Sequence, residues 1–245
     1  MYVQLALVMM PAMSIAAGGA LRQSTIDMAR RFGRFAMWFG AIALVTASLA
    51  VVSVHLTPYT SNHLADWWLA APERALGVSG PQLAAVLERS PSAGFWRLTY
   101  AHTPQLWLIL LAWKCDNRTL RRLVSALALS GVLGLAFYVL EPARGPTLTL
   151  TGYLPSPWYA SWLQIRDGAS VYPDQIYGYI QCPSFHTVLA VLIALAAPKG
   201  KIKLLVCLWL PFLLLSTWTF GEHYLLDIVL GAALALFCWR ACELR

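Results

Sequence analysis

Six apolar segments, each close to the length that crosses a lipid bilayer, limit most strongly how this chain folds. They are residues 35–56, 98–113, 122–140, 184–198, 202–219 and 224–240, and a transmembrane helix needs about 17 to 25 residues. Hydrophobic residues make up 59% of the chain and charged residues only 12%, which excludes a soluble nucleic-acid-binding protein. The sequence therefore predicts an all-α integral membrane protein with six transmembrane helices.

Two of these segments and the N-terminus are harder to assign. Residues 98–113 contain His102 and Pro104, and residues 184–198 are short. Residues 1–20 form a further apolar segment without the basic start of a signal peptide, so they are interpreted as an extra span or an interfacial segment. The chain is thus divided into an N-terminal apolar and basic stretch, 1–34, and a six-helix membrane domain, 35–245.

Basic residues are distributed unevenly between the two ends of the predicted helices. One end holds thirteen of the 18 Lys and Arg residues and only three acidic ones. These basic residues are Arg22, Arg30, Arg31, Arg34, Lys114, Arg118, Arg121, Arg122, Lys199, Lys201, Lys203, Arg240 and Arg245. Because positive charge marks the cytoplasmic side, the long loops 57–103 and 141–183 are predicted to lie outside.

The first outer loop contains an amphipathic segment. Its apolar residues are Leu64, Trp67, Trp68 and Leu69, and its charged ones are Glu73 and Arg74. Because Trp side chains anchor helices at a membrane interface, the segment predicts an outer interfacial helix. A lid that packs on the helix bundle is the alternative.

The strongest chemical signal is His223 and Asp227, at the outer end of the last predicted span. Residues four apart share one face of a helix, so the carboxylate can bind one imidazole nitrogen and leave the other free as a base or nucleophile. Ionisable groups at membrane depth are costly and are usually functional. An interfacial His beside a helix-capping Asp is the alternative interpretation.

A second group of polar residues, Ser184 to Thr187, stands where the second outer loop enters the fourth span. Pro183 and Ser184 before an apolar run indicate a helix start, and the free N–H groups there favour a phosphate beside His186. Taken alone, this pattern is better explained by a capping Ser and an ordinary interfacial His. The predicted topology, however, places His186, His223 and Asp227 at the same depth on the same side.

A phosphate group also requires cations on the outer side. Arg144 follows the third span, and Arg166 lies in the loop that leads to His186. Either guanidinium could form a bidentate clamp on phosphate oxygens. Alternatively, Arg144 is simply solvated and Arg166 pairs with Asp167.

Taken together, Pro183-Ser184-Phe185-His186-Thr187 and His223-x-x-x-Asp227, separated by two spans, resemble the type 2 phosphatidic acid phosphatase (PAP2) superfamily. The inositolphosphotransferase-like branch, with inositol phosphorylceramide and sphingomyelin synthases, is the most similar. The resemblance implies a six-transmembrane-helix bundle of PAP2 type and phosphoryl transfer through a phosphohistidine, without a metal or cofactor. His223 would be the nucleophile, Asp227 its partner and His186 the leaving-group acid, with Ser184 and the helix start holding the phosphoryl oxygens.

The chain departs from the phosphatase branch in its cations. That branch has a Lys-x6-Arg-Pro motif and a Ser-Arg six residues ahead of the nucleophilic His. Here no such Lys precedes Arg144, and Ser216-Thr217 stands in the Ser-Arg place. The departures favour the synthase-like branch and shift phosphate binding to Arg144 and Arg166.

The sequence thus predicts a membrane enzyme that cleaves a lipid phosphate ester. A phosphatase is the first hypothesis, a phospho-headgroup transferase the second, and a non-enzymatic transporter or scaffold the third. The expected partners are a lipid phosphate and the bilayer, with no nucleic acid, and the oligomeric state is left open. Bacterial relatives imply the inner membrane, with the active site facing the periplasm. None of the five cysteines forms a CxxC pair, and no Cys or His cluster has metal spacing.

Overall fold

The computed structural model of the protein describes residues 2–23, 27–151, 157–168, 180–221 and 223–243. Within these ranges the chain forms helices and turns and no strand. The all-α class predicted from the sequence is therefore confirmed. Parts of the predicted second outer loop, 152–156 and 169–179, lie outside the described residues.

The described helices follow one another in chain order. They are α1 Tyr2–Arg22, α2 Asp27–Leu56, α3 Asp66–Leu69, α4 Ala71–Leu76, α5 Gly80–Glu88, α6 Ala93–Ala101, α7 Thr103–Lys114, α8 Asn117–Leu140, α9 Pro146–Thr151, α10 Pro157–Arg166, α11 Phe185–Ala196, α12 Lys201–Phe220 and α13 Leu225–Ala241, with a 3-10 turn at Thr57–Tyr59 after α2.

Three of the described helical segments are long and apolar enough to cross a membrane. They are Asp27–Tyr59, Asn117–Leu140 and Lys201–Phe220. Helix α13 has 17 residues and α11 only 12, which at about 1.5 Å per residue make them roughly 26 and 18 Å long. The structure thus supports three apolar spans, and the full six-span bundle stays a prediction.

One predicted span is wrong as a continuous helix. Residues 98–113 divide into α6 and α7, and the break falls at His102, whose φ of −127° is not helical. Pro104 explains the break, because proline has no N–H to donate and its ring clashes with the preceding turn, so it sits in the first turn of α7.

The amphipathic segment of the first outer loop is also divided. It forms two short helices, α3 and α4, rather than one. Leu69 is fully buried and Trp68 packs edge-on against Phe137 of α8, whereas Trp67 is 63% exposed. The segment therefore packs on the bundle as in the lid alternative, and Trp67 keeps the exposure expected of an interfacial anchor.

The main apolar core lies where α8, α11 and α13 meet α2, α7 and α12. Its completely buried members include Leu111, Leu123, Val188, Leu192 and Val206. Burial of this kind stabilises a helix pair through close side-chain packing even where the surrounding solvent is lipid. The core thus fixes α11 and α13, the two helices that carry the candidate residues, against one another.

Helix α1 packs antiparallel along α2 through small residues. A Cβ on Gly18 would lie 2.4 Å from Met37 N, and one on Gly33 would lie 2.5 Å from Arg22 N. Only glycine allows two helix backbones to approach so closely. Helix α1 is thus the partner of α2 in a helical hairpin, and whether residues 1–20 span the membrane stays a prediction.

The basic segments lie together at one end of the bundle. Arg34 of α2 donates to the Trp113 carbonyl at 3.2 Å, and Arg122 of α8 donates to the Trp239 carbonyl at 2.8 Å. Lys203 at the start of α12 donates to a carbonyl in the last turn of α11. The uneven charge distribution seen in the sequence is therefore a real polarity of the fold, while its orientation in the membrane stays a prediction.

Candidate active site

His223 and Asp227 lie together, although not on one helix face as their spacing predicts, because α13 begins only at Leu225. His223 precedes α13, and its Nδ1 is 3.6 Å from Asp227 Oδ2, with the two side chains 5% and 0% exposed. This distance exceeds a normal hydrogen bond, and such bonds are often long before a substrate is present. The carboxylate faces Nδ1 and leaves Nε2 as the nitrogen available for chemistry.

Asp227 also holds the start of α13. Its Oδ2 accepts the backbone N–H of Tyr224 at 2.9 Å, which closes a capping box at the first turn of the helix. The carboxylate is thus shared between a backbone donor and the imidazole. This double role fixes the position of His223 relative to the helix that carries its partner.

Close packing brings α13 to the beginning of α11. A Cβ on Gly231 would lie 2.5 Å from the Ser184 carbonyl, so glycine is required at this contact. Ser184 N in turn donates to the Asp227 carbonyl at 3.1 Å. These contacts place the start of α11 beside His223, so the two sequence motifs form one site.

Ser184 is the N-cap of α11. Its hydroxyl accepts the Thr187 backbone N–H at 3.3 Å and the Thr187 hydroxyl at 3.1 Å, and the residue is fully buried. The predicted helix start is confirmed, and the serine occupies the capping position that one of the two alternatives described. Its proposed contact with phosphoryl oxygens stays a prediction.

His186 faces His223 across a short gap. The two ring centroids are 6.2 Å apart, and both residues line the same cavity. The ring of Tyr100, from α6, lies 4.3 Å from that of His186, and its hydroxyl is 3.4 Å from His186 Nδ1. With Nδ1 facing Tyr100, Nε2 of His186 is the nitrogen left for a reacting group.

The two histidines border an apolar cavity of about 310 Å³. It extends between the second half of α2 and the start of α11. Its described lining is mainly apolar and includes Leu49, Ala50, Ile180, Phe185 and Leu189, with Ser53 and Gln181 among the polar members. The cavity therefore joins a histidine pair to a surface that suits a hydrocarbon chain.

The two predicted phosphate-binding arginines do not line this cavity. Arg166 Nη2 donates to the Ser61 carbonyl at 2.7 Å, and its guanidinium lies 5.1 Å from the Trp162 ring. Arg144 binds Asp66 through its backbone N–H at 2.9 Å, and its side chain is exposed. Among the described lining residues there is no Lys or Arg, so a direct role of either arginine stays a prediction.

Asp66 is a buried residue that sequence analysis missed. Its Oδ1 accepts the Tyr224 hydroxyl at 2.7 Å, the Gly145 N–H at 3.0 Å and the Thr149 hydroxyl at 3.1 Å, besides the Arg144 N–H. It therefore ties the second outer loop to the residue after His223. An Asp among tryptophans in a loop gives no sequence signal for such a long-range role.

Glu73 is a second buried carboxylate near the site. Its Oε1 accepts the Trp218 indole N–H at 2.6 Å and the Gly80 N–H at 3.4 Å. Burial raises the pKa of Glu73, and the hydrogen bond from Trp218 opposes that shift. The residue links α4 to α5 and to the last turn of α12, just before the loop that carries His223.

The described residues offer no group of three or more His, Cys, Asp or Glu side chains that could hold a metal ion. The five cysteines are free thiols. Cys182, beside Ser184, is buried, and burial raises the pKa of its thiol. The described polar groups nearest the histidine pair thus include two imidazoles, a carboxylate, a phenol and the start of a helix.

The fold and the site together define an all-helical membrane protein with a histidine-based polar site beside an apolar cavity. A family model described as the PAP2 superfamily matches residues 67–241, and the chain belongs to that superfamily. The resemblance seen in the sequence is therefore confirmed. PAP2 membership also indicates an enzyme of the phosphoryl-transfer type.

A curated relative agrees with this assignment. The chain is 26% identical over 167 residues to a protein named phosphoinositol dihydroceramide synthase from Bacteroides thetaiotaomicron. The alignment covers 62% of this chain and 54% of the relative, so the chain spans about half the length of the curated protein it matches. No solved structure matches the chain significantly.

Proposed function

We propose that the protein cleaves a lipid phosphate ester through a phosphohistidine at His223 and passes the phosphorylated group to an acceptor hydroxyl. The observation that carries the proposal is the His223–Asp227 pair facing His186 at the edge of an apolar cavity. The centroids of the two imidazole rings are 6.2 Å apart. A nucleophile opposite a leaving-group acid is the arrangement that phosphoryl transfer needs.

In the first step, Nε2 of His223 attacks phosphorus and the bond from phosphorus to the leaving oxygen breaks. Asp227 stabilises the positive charge that develops on the His223 ring. His186 gives a proton to the leaving oxygen, so the lipid departs as an alcohol. The negative oxygens of the transferring group are stabilised by N–H groups at the start of α11, because the positive end of a helix dipole lies there.

In the second step, the acceptor hydroxyl attacks phosphorus and the N–P bond of the phosphohistidine breaks. His186, now neutral, takes the proton of the acceptor, and His223 returns to its starting state. Water as acceptor gives hydrolysis, whereas a lipid alcohol gives headgroup transfer. Both outcomes use the same residues and differ only in which hydroxyl reaches the phosphohistidine.

Transfer to a lipid alcohol is the acceptor choice that we favour. The described wall of the cavity is mainly apolar, which favours a hydroxyl carried on a hydrocarbon chain over bulk water. The name of the relative, a phosphoinositol dihydroceramide synthase, points to the same chemistry. The absence of the phosphatase-branch Lys and Arg from their expected sequence positions supports this choice as well.

The decisive experiment compares products of the purified enzyme in detergent with those of His223→Ala. The enzyme is given a phosphodiester lipid together with a long-chain alcohol, and both the released headgroup phosphomonoester and new phospholipid are measured, with and without a chelator. We expect a new phospholipid from the native chain and a loss of at least about 10³-fold in His223→Ala.

His63→Ala is a matched control, because His63 is an exposed histidine bonded to the Trp67 indole at 3.2 Å. It should retain full turnover. Headgroup phosphomonoester without a new lipid would assign hydrolysis instead of transfer. Undiminished turnover in His223→Ala would exclude the phosphohistidine, and no product from the native chain would favour the non-enzymatic hypothesis.

A further inference from the structure

A second cavity lies at the basic end of the bundle. It measures about 520 Å³ and is formed where the α1–α2 hairpin meets the end of α7. Its lining residues are Arg22, Asp27, Arg30, Arg31, Arg34, Trp113 and Lys114. We call it the basic pocket. It brings five cations and one carboxylate to a single concave surface.

The cations of the basic pocket are only partly neutralised. Asp27 pairs with Arg31 at 2.9 Å and with Arg30 at 3.4 Å, and these side chains are more than half exposed. Arg34 Nη2 donates to the Trp113 carbonyl, whereas its Nε is buried and has no hydrogen-bond partner among the described residues. A buried unpaired N–H is costly, and a bound anion would satisfy it.

The nearest further acid does not neutralise the pocket. Asp116, two residues after Lys114, caps the start of α8, where it accepts the Thr119 N–H at 2.8 Å and the Thr119 hydroxyl at 3.1 Å. These hydrogen bonds hold the pKa of Asp116 below its usual value. The carboxylate is thus directed to a helix terminus, and the pocket keeps its excess of positive charge.

Exposed apolar side chains adjoin the cations. Met28 is 67%, Phe32 51% and Trp113 38% exposed, and Phe35 contacts the Trp113 ring edge-on at 5.7 Å between centroids. A free anion in water would gain nothing from these surfaces. A lipid would, since its glycerol and first methylene groups lie directly beside its phosphate.

We propose that the basic pocket binds the phosphate of an anionic phospholipid as a structural or regulatory lipid. The site is separate from the histidines. Arg34 and Ser53 are both on α2, and their separation of 19 positions corresponds to about 28 Å of helix, close to the thickness of a hydrocarbon core. The lipid therefore belongs to the leaflet opposite the candidate active site, and its binding does not depend on the proposed reaction.

The test uses the full chain in an uncharged detergent. The midpoint of thermal unfolding is followed during titration with phosphatidylglycerol, phosphatidylcholine or inorganic phosphate, because a ligand of the folded state raises the midpoint. We expect a saturable rise with phosphatidylglycerol. Arg30→Gln/Arg31→Gln should weaken the apparent affinity roughly tenfold or more, since each basic residue attracts an anionic lipid appreciably.

The matched control is Arg118→Gln/Arg121→Gln. It removes two exposed arginines from the same end of the bundle but outside the pocket, and it should bind like the native chain. Lys114→Gln, compared with the exposed Lys199→Gln, repeats the test with single substitutions. Agreement of both pairs with these expectations supports the site.

Three results would overturn the proposal. An equal loss in Arg118→Gln/Arg121→Gln would mean a diffuse charge effect rather than a pocket. An equal response to phosphatidylcholine would mean that charge is not recognised. Saturation by inorganic phosphate at the same apparent affinity would assign the pocket to a soluble anion instead of a lipid.

Discussion

The two ends of the helix bundle use polar residues in opposite ways. At the histidine end, Asp66, Ser184 and Asp227 are less than a tenth exposed and accept hydrogen bonds from backbone or side-chain donors. At the basic end, the charges of Arg30 and Arg31 are more than half exposed and share a single carboxylate. Burial and bonding thus distinguish the first end, whereas sheer number of charges distinguishes the second.

This difference indicates which polar residues are candidates for a catalytic role. An exposed arginine at a membrane surface costs little, so its presence reports orientation or lipid attraction. A buried carboxylate costs several kcal/mol unless it is paired and hydrogen-bonded. The histidine end therefore concentrates the residues whose substitution should have large effects, and the predictions below test that contrast.

The largest effect is expected for Asp227→Asn. The amide can still accept the Tyr224 N–H, so the start of α13 should persist. It cannot stabilise a positively charged imidazole, and kcat should fall by about 10² to 10⁴-fold with little change in KM. Steady-state kinetics with a thermal unfolding measurement checks both parts.

Asp167→Asn is the control for this substitution, because Asp167 is an exposed carboxylate of the predicted outer side. Its kinetics should match those of the native chain. Asp227→Asn with turnover within tenfold of native would mean that Asp227 serves the fold alone, and the contrast between the two ends would then concern packing rather than chemistry.

The next effect is on stability and comes from Asp66→Ala. The change leaves the Tyr224 hydroxyl and the Arg144 and Gly145 N–H groups without their acceptor. Loss of a buried acceptor that serves several donors should lower the free energy of unfolding by about 2 to 4 kcal/mol. Chemical unfolding in mixed micelles measures this, with Asp167→Ala as the exposed control. A loss below about 0.5 kcal/mol would show that water replaces the carboxylate.

Much of the fold followed from the sequence because apolar length and charge are local signals. The spans in α2, α8 and α12 and the gathering of basic residues at one end needed only hydropathy and loop composition. Pro104 signals the break between α6 and α7 at His102, although the apolar run favours a continuous span. Whether a proline breaks a helix at such a position depends on how the neighbouring helices pack, which sequence spacing does not describe.

The candidate site was only partly visible for a similar reason. The i, i+4 spacing of His223 and Asp227 is local, so their proximity could be predicted. Tyr100 contacts His186, and Asp66 contacts Tyr224. The two residues of each pair are more than 80 positions apart in the sequence. Arg166 resembles a phosphate ligand in the sequence because its hydrogen-bond acceptor, the Ser61 carbonyl, lies 105 positions away and is brought to it only by tertiary packing.

A smaller effect is expected for Tyr100→Phe. The phenylalanine ring can keep the contact with His186 at 4.3 Å between centroids, while the hydroxyl that lies 3.4 Å from Nδ1 is lost. One weak hydrogen bond is worth about 0.5 to 1.5 kcal/mol, so kcat should fall roughly two- to tenfold, with a displaced pH profile. Tyr59→Phe, at a residue 75% exposed, is the control. An unchanged profile would make Tyr100 a packing residue.

The smallest effect is expected at the other end, for Arg118→Gln/Arg121→Gln. Both arginines are exposed on α8 and lie outside the two cavities described. Surface charges of this kind contribute little, so the free energy of unfolding should change by less than about 0.5 kcal/mol and turnover should stay native. Unfolding and product assays on one preparation measure both. A loss of unfolding free energy comparable to that of Asp66→Ala would mean that the exposed charges also stabilise the bundle. Burial alone would then no longer distinguish the two ends.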